Sequence, residues 1–463
     1  MKLTKLELTN FRCFESFSLP LDPHLNVIVG ANGAGKSTLL DAIAAALYEI
    51  VAANKRGGSR QRAAQSASLR PTDLRLIHRG DGSDTPASFV RFRATATDFY
   101  PLDRFPDKTP TGDPVALEWT QHISYEPLDG FQYQGRTTTR LAPIYDYFRA
   151  LWRELGRSSP QALIPLPMVA YYRASRRFDG QPELGRVLEL ALAREDAFTH
   201  ALDAGNADYA AMAQWFYLRE NAELRTGAAG EGSFNDLRAM RQVLTHMVDG
   251  LRRVFFDGMP PRLKVELAPA PGEGARILEL AQLSDGYRNL IALVLDFARR
   301  LAQANPRWPN PLDAPGILLV DELELHLHPS WQQTVIPRLR AAFPNTQLIV
   351  ATHSPAVIST IRRENLLLLG SDHRLEALPA DVGTYGADNS RVLAEVFGTH
   401  PRPPNVETVR QLDDYLALIE ERKERSERAL ALRAQLDKAL GSSEPMLRRA
   451  DARIHQLEFL AKR

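Results

Sequence analysis

Apolar and polar residues alternate along KLTKLELTNF, FESFSLPL and HLNVIV, three runs before Gly30, and a period of two predicts β-strands with one face buried. The third run closes on Val27, Ile28 and Val29, passes through a Gly-rich stretch and meets a predicted helix from Ser37 to about Val51. That helix is apolar almost all round, through Leu39, Leu40, Ile43, Leu47 and Ile50, so it is expected to pack against a sheet on one side and other elements elsewhere. NKRGGSRQRAAQSASLR, with few large apolar residues, reads as a loop. Strand alternation resumes at ASFVRFRATATDF and VALEWTQHISY, on either side of the proline-rich YPLDRFPDKTPTGDP. A further strand, PMVAYYR, precedes a helical tract expected from about Pro182 to Phe256. RLKVELAPAPGEGARILELAQL then gives two alternating runs around a Pro/Gly turn, a hairpin signal.

From Ser284 the periodicity reads helix (YRNLIALVLDFARRL), strand (GILLVDE), helix (WQQTVIPRLRAAF) and strand (TQLIVATH). Such alternation builds a parallel sheet of βα units. In the last sixty or so residues Val409, Leu412, Leu416 and Ile419 follow heptad spacing, which lapses over Lys423, Ser426, Arg433 and Asp437 and restarts at Leu447, Ala450, Ile454 and Leu457. A helical hairpin is expected there.

Composition narrows the class only slightly. With 463 residues, 44% apolar and 24% charged, the chain matches an ordinary globular protein of two or three domains. No run approaches the ~18 consecutive apolar residues of a spanning helix, and the amino-terminal stretch reads as a strand with no signal-peptide h-region, so a cytoplasmic protein without a membrane partner is expected. The single cysteine, Cys13, excludes an intramolecular disulfide and suits a small buried thiol. A net charge of +1 provides no bulk field for nucleic acid; any such contact must use a local patch, for which the basic loop carrying Lys55, Arg56, Arg60, Arg62 and Arg70 is the candidate.

The chemistry concentrates at three places. GANGAGKST, between strand and helix, meets the G-x-x-x-x-G-K-[ST] pattern. Its backbone amides (Gly30, Asn32, Gly33, Ala34, Gly35) and the helix amino terminus would cradle phosphate, Lys36 would reach the β- and γ-phosphates, and Ser37, followed by Thr38, would ligate Mg²⁺. GILLVDE is a buried strand ending in two carboxylates: Asp321 would hold the Mg²⁺ water shell and Glu322 would act as general base on the attacking water. LSDGYRN, Leu283 to Asn289, opens a helix; as a bare pattern it also fits a Ser-capped helix start.

With LSDGYRN the chain resembles the ABC-type ATPases of the RecF and SMC kind, within the AAA family. The resemblance implies an α/β fold, an ABC-ATPase head whose mixed sheet carries the P-loop core, with an inserted helical subdomain. It implies that Ser284 and Gly286 complete the γ-phosphate site of a second protomer, so that ATP bridges a head-to-tail homodimer. It also assigns His353 of IVATHSP as the switch histidine, places Asn10 and Arg12 of TNFR near the nucleotide, and makes ELHLHP a dimer-contact loop. The family's Q-loop glutamine has no counterpart after PMVAYYR, where Arg173, Arg176 and Arg177 stand instead. The expected domains are 1–180, the first part of the head with the basic loop 52–80 and a β insert; 181–261, the helical insert; 262–370, the second part of the head; and 371–463, a helical carboxyl-terminal region for assembly or docking.

The signature, VDELELHLHP, ATHSP and the tail segment YGADNSRVLAEVFGTHPRPP together resemble the Septu and retron ATPases of bacterial anti-phage defence. That resemblance implies an ATPase requiring ATP and Mg²⁺ that assembles into a homodimer or higher oligomer and regulates a separate HNH endonuclease, while cutting nothing itself. A transporter subunit and a long-arm SMC protein fit poorly, the latter for want of extended heptads. A RecF-like DNA repair clamp is the alternative, supported by the basic loop.

Overall fold

The computed structural model describes residues 1–54, 69–78, 84–101, 115–127, 133–137, 140–157, 163–174, 193–202, 209–227, 234–259, 261–269, 274–400 and 402–461. The chain forms two compact units, Met1–Ala387 and Asp388–Arg463. The stretch 371–387, expected with the tail, lies in the first unit because the β-hairpin at 366–376 and the Thr384 hydroxyl, bonded to the Ile361 carbonyl at 2.8 Å, tie it there.

In chain order the first unit contains β1 (Lys2–Phe11), β2 (Phe14–Pro20), β3 (Leu25–Gly30), α1 (Lys36–Asn54), β4 (Leu76–His78), β5 (Asp84–Pro86), β6 (Phe89–Phe99), β7 (Val115–Pro127) and β8 (Tyr133–Thr137). It continues through α2 (Ala142–Arg157), β9 (Met168–Tyr172), α3 (Tyr209–Gly227), α4 (Asn235–Met247), β10 (Leu251–Asp257), β11 (Arg262–Leu267), β12 (Arg276–Glu279) and α5 (Asp285–Ala304). It closes with β13 (Gly316–Val320), α6 (Pro329–Gln332), α7 (Val335–Ala342), β14 (Thr346–Ala351), α8 (Pro355–Ile358), β15 (Leu366–Leu369) and β16 (Leu375–Glu376).

Two sheets organise this unit, in the order β2-β1-β6-β7-β8, wholly antiparallel, and β16-β15-β3-β14-β13-β9, parallel except for β16. The central strands β3, β13 and β14 are buried at every position, as strands covered on both faces must be. Between the sheets' elements α1 is buried along most of its length, and Trp119 of β7 donates its indole N–H to the Ala46 carbonyl at 3.0 Å. This helix is long and apolar enough to cross a membrane by composition, but 61% of its most apolar window is buried inside the unit.

The parallel sheet, the strand before and the helix after the Gly-rich loop, and the β11–β12 hairpin match the periodicity. Two expectations are corrected. The helical tract ends at Met247, and LRRVFFD forms β10, because Gly250 (φ +78°) turns the chain and the residues beyond it pair antiparallel with β11. WQQTVIPRLRAAF splits into α6 and α7, since Pro337 has no N–H to offer the preceding turn.

The second unit contains α9 (Asn389–Glu395), α10 (Glu407–Glu420), α11 (Glu427–Leu440) and α12 (Pro445–Ala461). In place of a hairpin, three helices share a core of Leu412, Tyr415, Ile419, Ala429, Leu436, Leu447, Ala450 and Leu457. The lapse in the heptads is where the chain turns: Arg422 is left-handed (φ +58°) and the Ser426 hydroxyl caps α11 by accepting from the Ala429 N–H.

Candidate functional site

The Gly-rich loop leaves β3 at Gly30 and enters α1 at Lys36. A side chain at Gly30 would collide with the Leu369 carbonyl of the neighbouring β15, so the loop's start tolerates only glycine. Gly33 and Gly35 adopt φ of +81° and +104°. Lys36 bends back over the loop, its Nζ donating to the carbonyls of Gly30 at 3.0 Å and Ala31 at 2.9 Å. Burial lowers its affinity for its proton, while Asp321, Glu322 and Glu324 act in the opposite direction. Asn32, Gly33 and Ser37 are exposed, whereas Ala34 is buried.

Asp321 and Glu322 follow β13. Asp321 is buried and its N–H donates to the Tyr172 carbonyl at 2.9 Å; Glu322 is half-buried with a left-handed backbone, φ +44°. His353 follows β14, and its N–H donates to Glu324 at 2.6 Å, while the Thr352 hydroxyl donates to the other Glu324 oxygen at 2.7 Å. Burial pushes the His353 imidazole below its ordinary value, assisted by the positive charge of Lys36 and opposed by Glu324, Glu322 and Asp321. Because β3, β14 and β13 are adjacent and parallel, one cation, three carboxylates and an imidazole converge at the carboxyl edge of the sheet. Ser37 and Asp321 carry oxygen atoms of the kind Mg²⁺ takes as ligands, and they are the residues that could hold it.

Asn10, near the end of β1, and Arg12, in the β1–β2 turn, both take left-handed conformations, with φ of +54° and +45°. Arg12 is bound to Asp73 and, at 2.6 Å, to Asp41 of α1. Asp41 also accepts from the Tyr171 hydroxyl at 2.9 Å and from Arg173 at 2.5 Å. Thus Arg173, at the position where a Q-loop glutamine was expected, is tethered to the helix that follows the phosphate loop. Arg176, Arg177, Lys55, Arg56, Arg60 and Arg62 lie outside the described residues.

The neighbouring tyrosine points to the other layer. Tyr172 donates to Asp296 of α5 at 2.8 Å, and Asp296 also accepts from Arg299 and Arg300, all of them buried. Burial alone would raise the Asp296 carboxyl, but Arg300 and Arg299 hold it below the usual range. Burial also drives both tyrosine hydroxyls well above their ordinary values, reinforced by Asp41 for Tyr171 and by Asp296 for Tyr172. Consecutive residues of β9 therefore bond to α1 and to α5. The sequence reading missed Asp41, Tyr171, Tyr172 and Asp296; the available signal was a Tyr-Tyr pair at the end of an apolar strand, since buried hydroxyls require partners.

Ser284 stands at the amino terminus of α5, exposed, and its side chain makes no capping bond to the helix, contrary to the plain Ser-cap reading. Gly286 is buried against the loop after β13: a Cβ there would meet the His326 carbonyl. Tyr287 stacks edge-on with Trp331 at 4.1 Å between centroids. The ELHLHP loop is thus packed on the signature segment, and His328 caps the short α6 through Ser330 N–H.

Residues 25–359 match the AAA-domain family described as putative AbiEii toxin, type IV toxin–antitoxin system. The chain belongs to this family of AAA ATPases. Among its relatives, a retron Ec83 probable ATPase of Escherichia coli is 28% identical over 96% of this chain and 85% of that protein. Septu protein PtuA of Bacillus mycoides (strain KBAB4) is 34% identical over 30% of this chain and 20% of that protein. Among solved structures, an SMC head bound to the C-terminal winged-helix domain of ScpA aligns with 82% of this chain and 99% of that one at 20% identity and a TM-score of 0.43. Membership of an ATPase family accords with the motifs on the sheet edge, and the relatives carry retron and Septu names.

Proposed function

We propose that this ATPase hydrolyses ATP with Mg²⁺ and closes head to tail with a second copy to regulate a partner HNH nuclease in anti-phage defence. The observation that carries the hydrolytic part is the convergence of Lys36, Asp321, Glu322 and His353 on the ends of three adjacent parallel strands. Lys36 would exchange its two carbonyl partners for phosphate oxygens, which pairs the cation with charge in place of dipoles. Glu322 would take the proton of the attacking water, and neutral His353 would orient the γ-phosphate end of the site. Bound Mg²⁺ would neutralise charge on the phosphates from Ser37 and Asp321.

Support for dimerisation comes from Ser284: its hydroxyl is exposed and unused by its own helix, as a group reserved for a second protomer's nucleotide would be. Support for the partner comes from the retron and Septu relatives and from the family resemblance, in which the ATPase works with a separate nuclease. The helical unit Asp388–Arg463 serves in this reading for assembly or docking.

The experiment is to recover tagged Glu322→Gln protein from its native host in ATP and identify what accompanies it by mass spectrometry. A stoichiometric HNH-type nuclease establishes the partner. Recovery of only DNA and repair proteins, or DNA cleavage by the purified chain through its own residues, overturns this reading.

A further inference from the structure

A phosphate loop directs its amide N–H groups at the anion, so its carbonyls point elsewhere and need donors of their own. Here the carbonyls of Gly30 and Ala31 receive Lys36, that of Ala31 also receives the Ala34 N–H, and that of Gly35 receives the Leu39 N–H of the first turn of α1. The Ala34 carbonyl is held from far away in the chain: His373 Nδ1 lies 2.8 Å from it. Since a carbonyl only accepts, Nδ1 carries the hydrogen.

His373 belongs to the turn joining β15 and β16. Its own N–H donates to the Gly370 carbonyl, and the Gly370 N–H donates to Arg374. The backbone of His373 is left-handed, φ +61°, a region that histidine, like asparagine and aspartate, enters more readily than most non-glycine residues. The imidazole ring meets Phe14 edge-on, centroids 6.0 Å apart. A Cβ placed on Gly35 would lie 3.1 Å from Cys13 Sγ, 3.2 Å from Phe14 Cζ and 3.7 Å from His373 Nδ1. The second half of the loop is therefore enclosed by the β1–β2 turn and the β15–β16 turn together.

We infer that His373 is a positioning residue of the nucleotide site, fixing the peptide between Ala34 and Gly35 in the orientation that binds phosphate. A trans peptide is planar with its C=O and N–H opposed, so drawing the Ala34 carbonyl to His373 turns the Gly35 N–H the other way, toward the side that receives the anion. The inference rests on the proposed ATP site. Without the imidazole the carbonyl loses its donor and the peptide gains freedom that binding must remove, which weakens nucleotide affinity while leaving Glu322 and the hydrolytic step in place.

The test compares His373→Gly, which keeps the left-handed turn and removes the donor, with His373→Asn, whose side-chain N–H₂ stands near the place of Nδ1 and which tolerates positive φ. ATP binding to each full-length protein is titrated by calorimetry, with turnover at saturating ATP and thermal unfolding measured alongside. The expected result is a Kd raised about five- to tenfold in His373→Gly, within about twofold of the parent in His373→Asn, and kcat and melting temperature close to parental in both. Equal Kd values in the parent and His373→Gly overturn the inference and leave the ATPase reading standing. Equal losses in Gly and Asn overturn it too, since they assign the effect to packing. A parent that binds no ATP removes both.

Discussion

Single side chains at the sheet edge have separable tasks, and substitution should separate them. Glu322→Gln should retain ATP binding and lower turnover by about 100-fold or more, the usual contribution of a positioned general base. Turnover at the parental rate would reassign the base. Lys36→Ala should instead abolish measurable ATP binding by calorimetry, because the cation that the phosphates would engage is gone. His353 provides a pH signature. Its imidazole is shifted below the ordinary 6.5 by burial and by Lys36, so it remains neutral on acidification longer than a free histidine does. The acidic limb of the hydrolysis profile should therefore lie below 6.5 and vanish in His353→Gln. A limb above that value in the parent contradicts the neutral role.

Elements are joined by buried polar contacts whose loss is costly. Asp296 of α5 neutralises Arg299 and Arg300 and accepts from Tyr172, with none of these groups in contact with bulk water. Asp296→Asn leaves two buried guanidinium groups without a counter-charge, and such uncompensated charge costs about 3–5 kcal/mol. Chemical denaturation of the full-length protein should register that loss; a change under 1 kcal/mol would mean that water enters the cluster. Adjacent residues of β9 reach different helices: Tyr171 bonds to Asp41 on α1, and Tyr172 bonds to Asp296 on α5. The two hydroxyls join the phosphate-loop helix to the signature helix through adjacent residues of one strand.

At the level of the whole molecule, two units with separate cores give two separable responses. Leu447 is fully buried among the three tail helices, so Leu447→Ala should destabilise that unit by about 2–5 kcal/mol. If the tail serves partner docking and not head closure, ATP turnover should stay near parental while recovery of the proposed nuclease partner falls. Light scattering of Glu322→Gln should show a dimer with ATP and a monomer without it; a monomer in both conditions would leave Ser284 without its proposed role.

Local pattern carried a great deal of this protein. Alternation marked β1, β2, β3 and β6, apolar runs marked β13 and β14, and the spacing within GANGAGKST and at the end of GILLVDE marked the candidate phosphate loop and the acidic edge, because strand period and loop chemistry are written within a few consecutive residues. Where neighbouring signals compete, pattern reading failed: LRRVFFD continued a helical tract on paper, yet Gly250 and pairing with β11 made it a strand, and a gap in the heptads was the turn into an extra helix. Contacts between distant residues were beyond its reach. Nothing local pairs Tyr171 with Asp41, seats Gly286 on the His326 carbonyl, or brings His373 to Ala34 across 339 positions of chain. The sequence by itself determined most of the strands, the Gly-rich loop and the candidate groups at the sheet edge; the tertiary structure decided which of them meet, since sheet order is set by the burial of whole faces and not by any short run of residues.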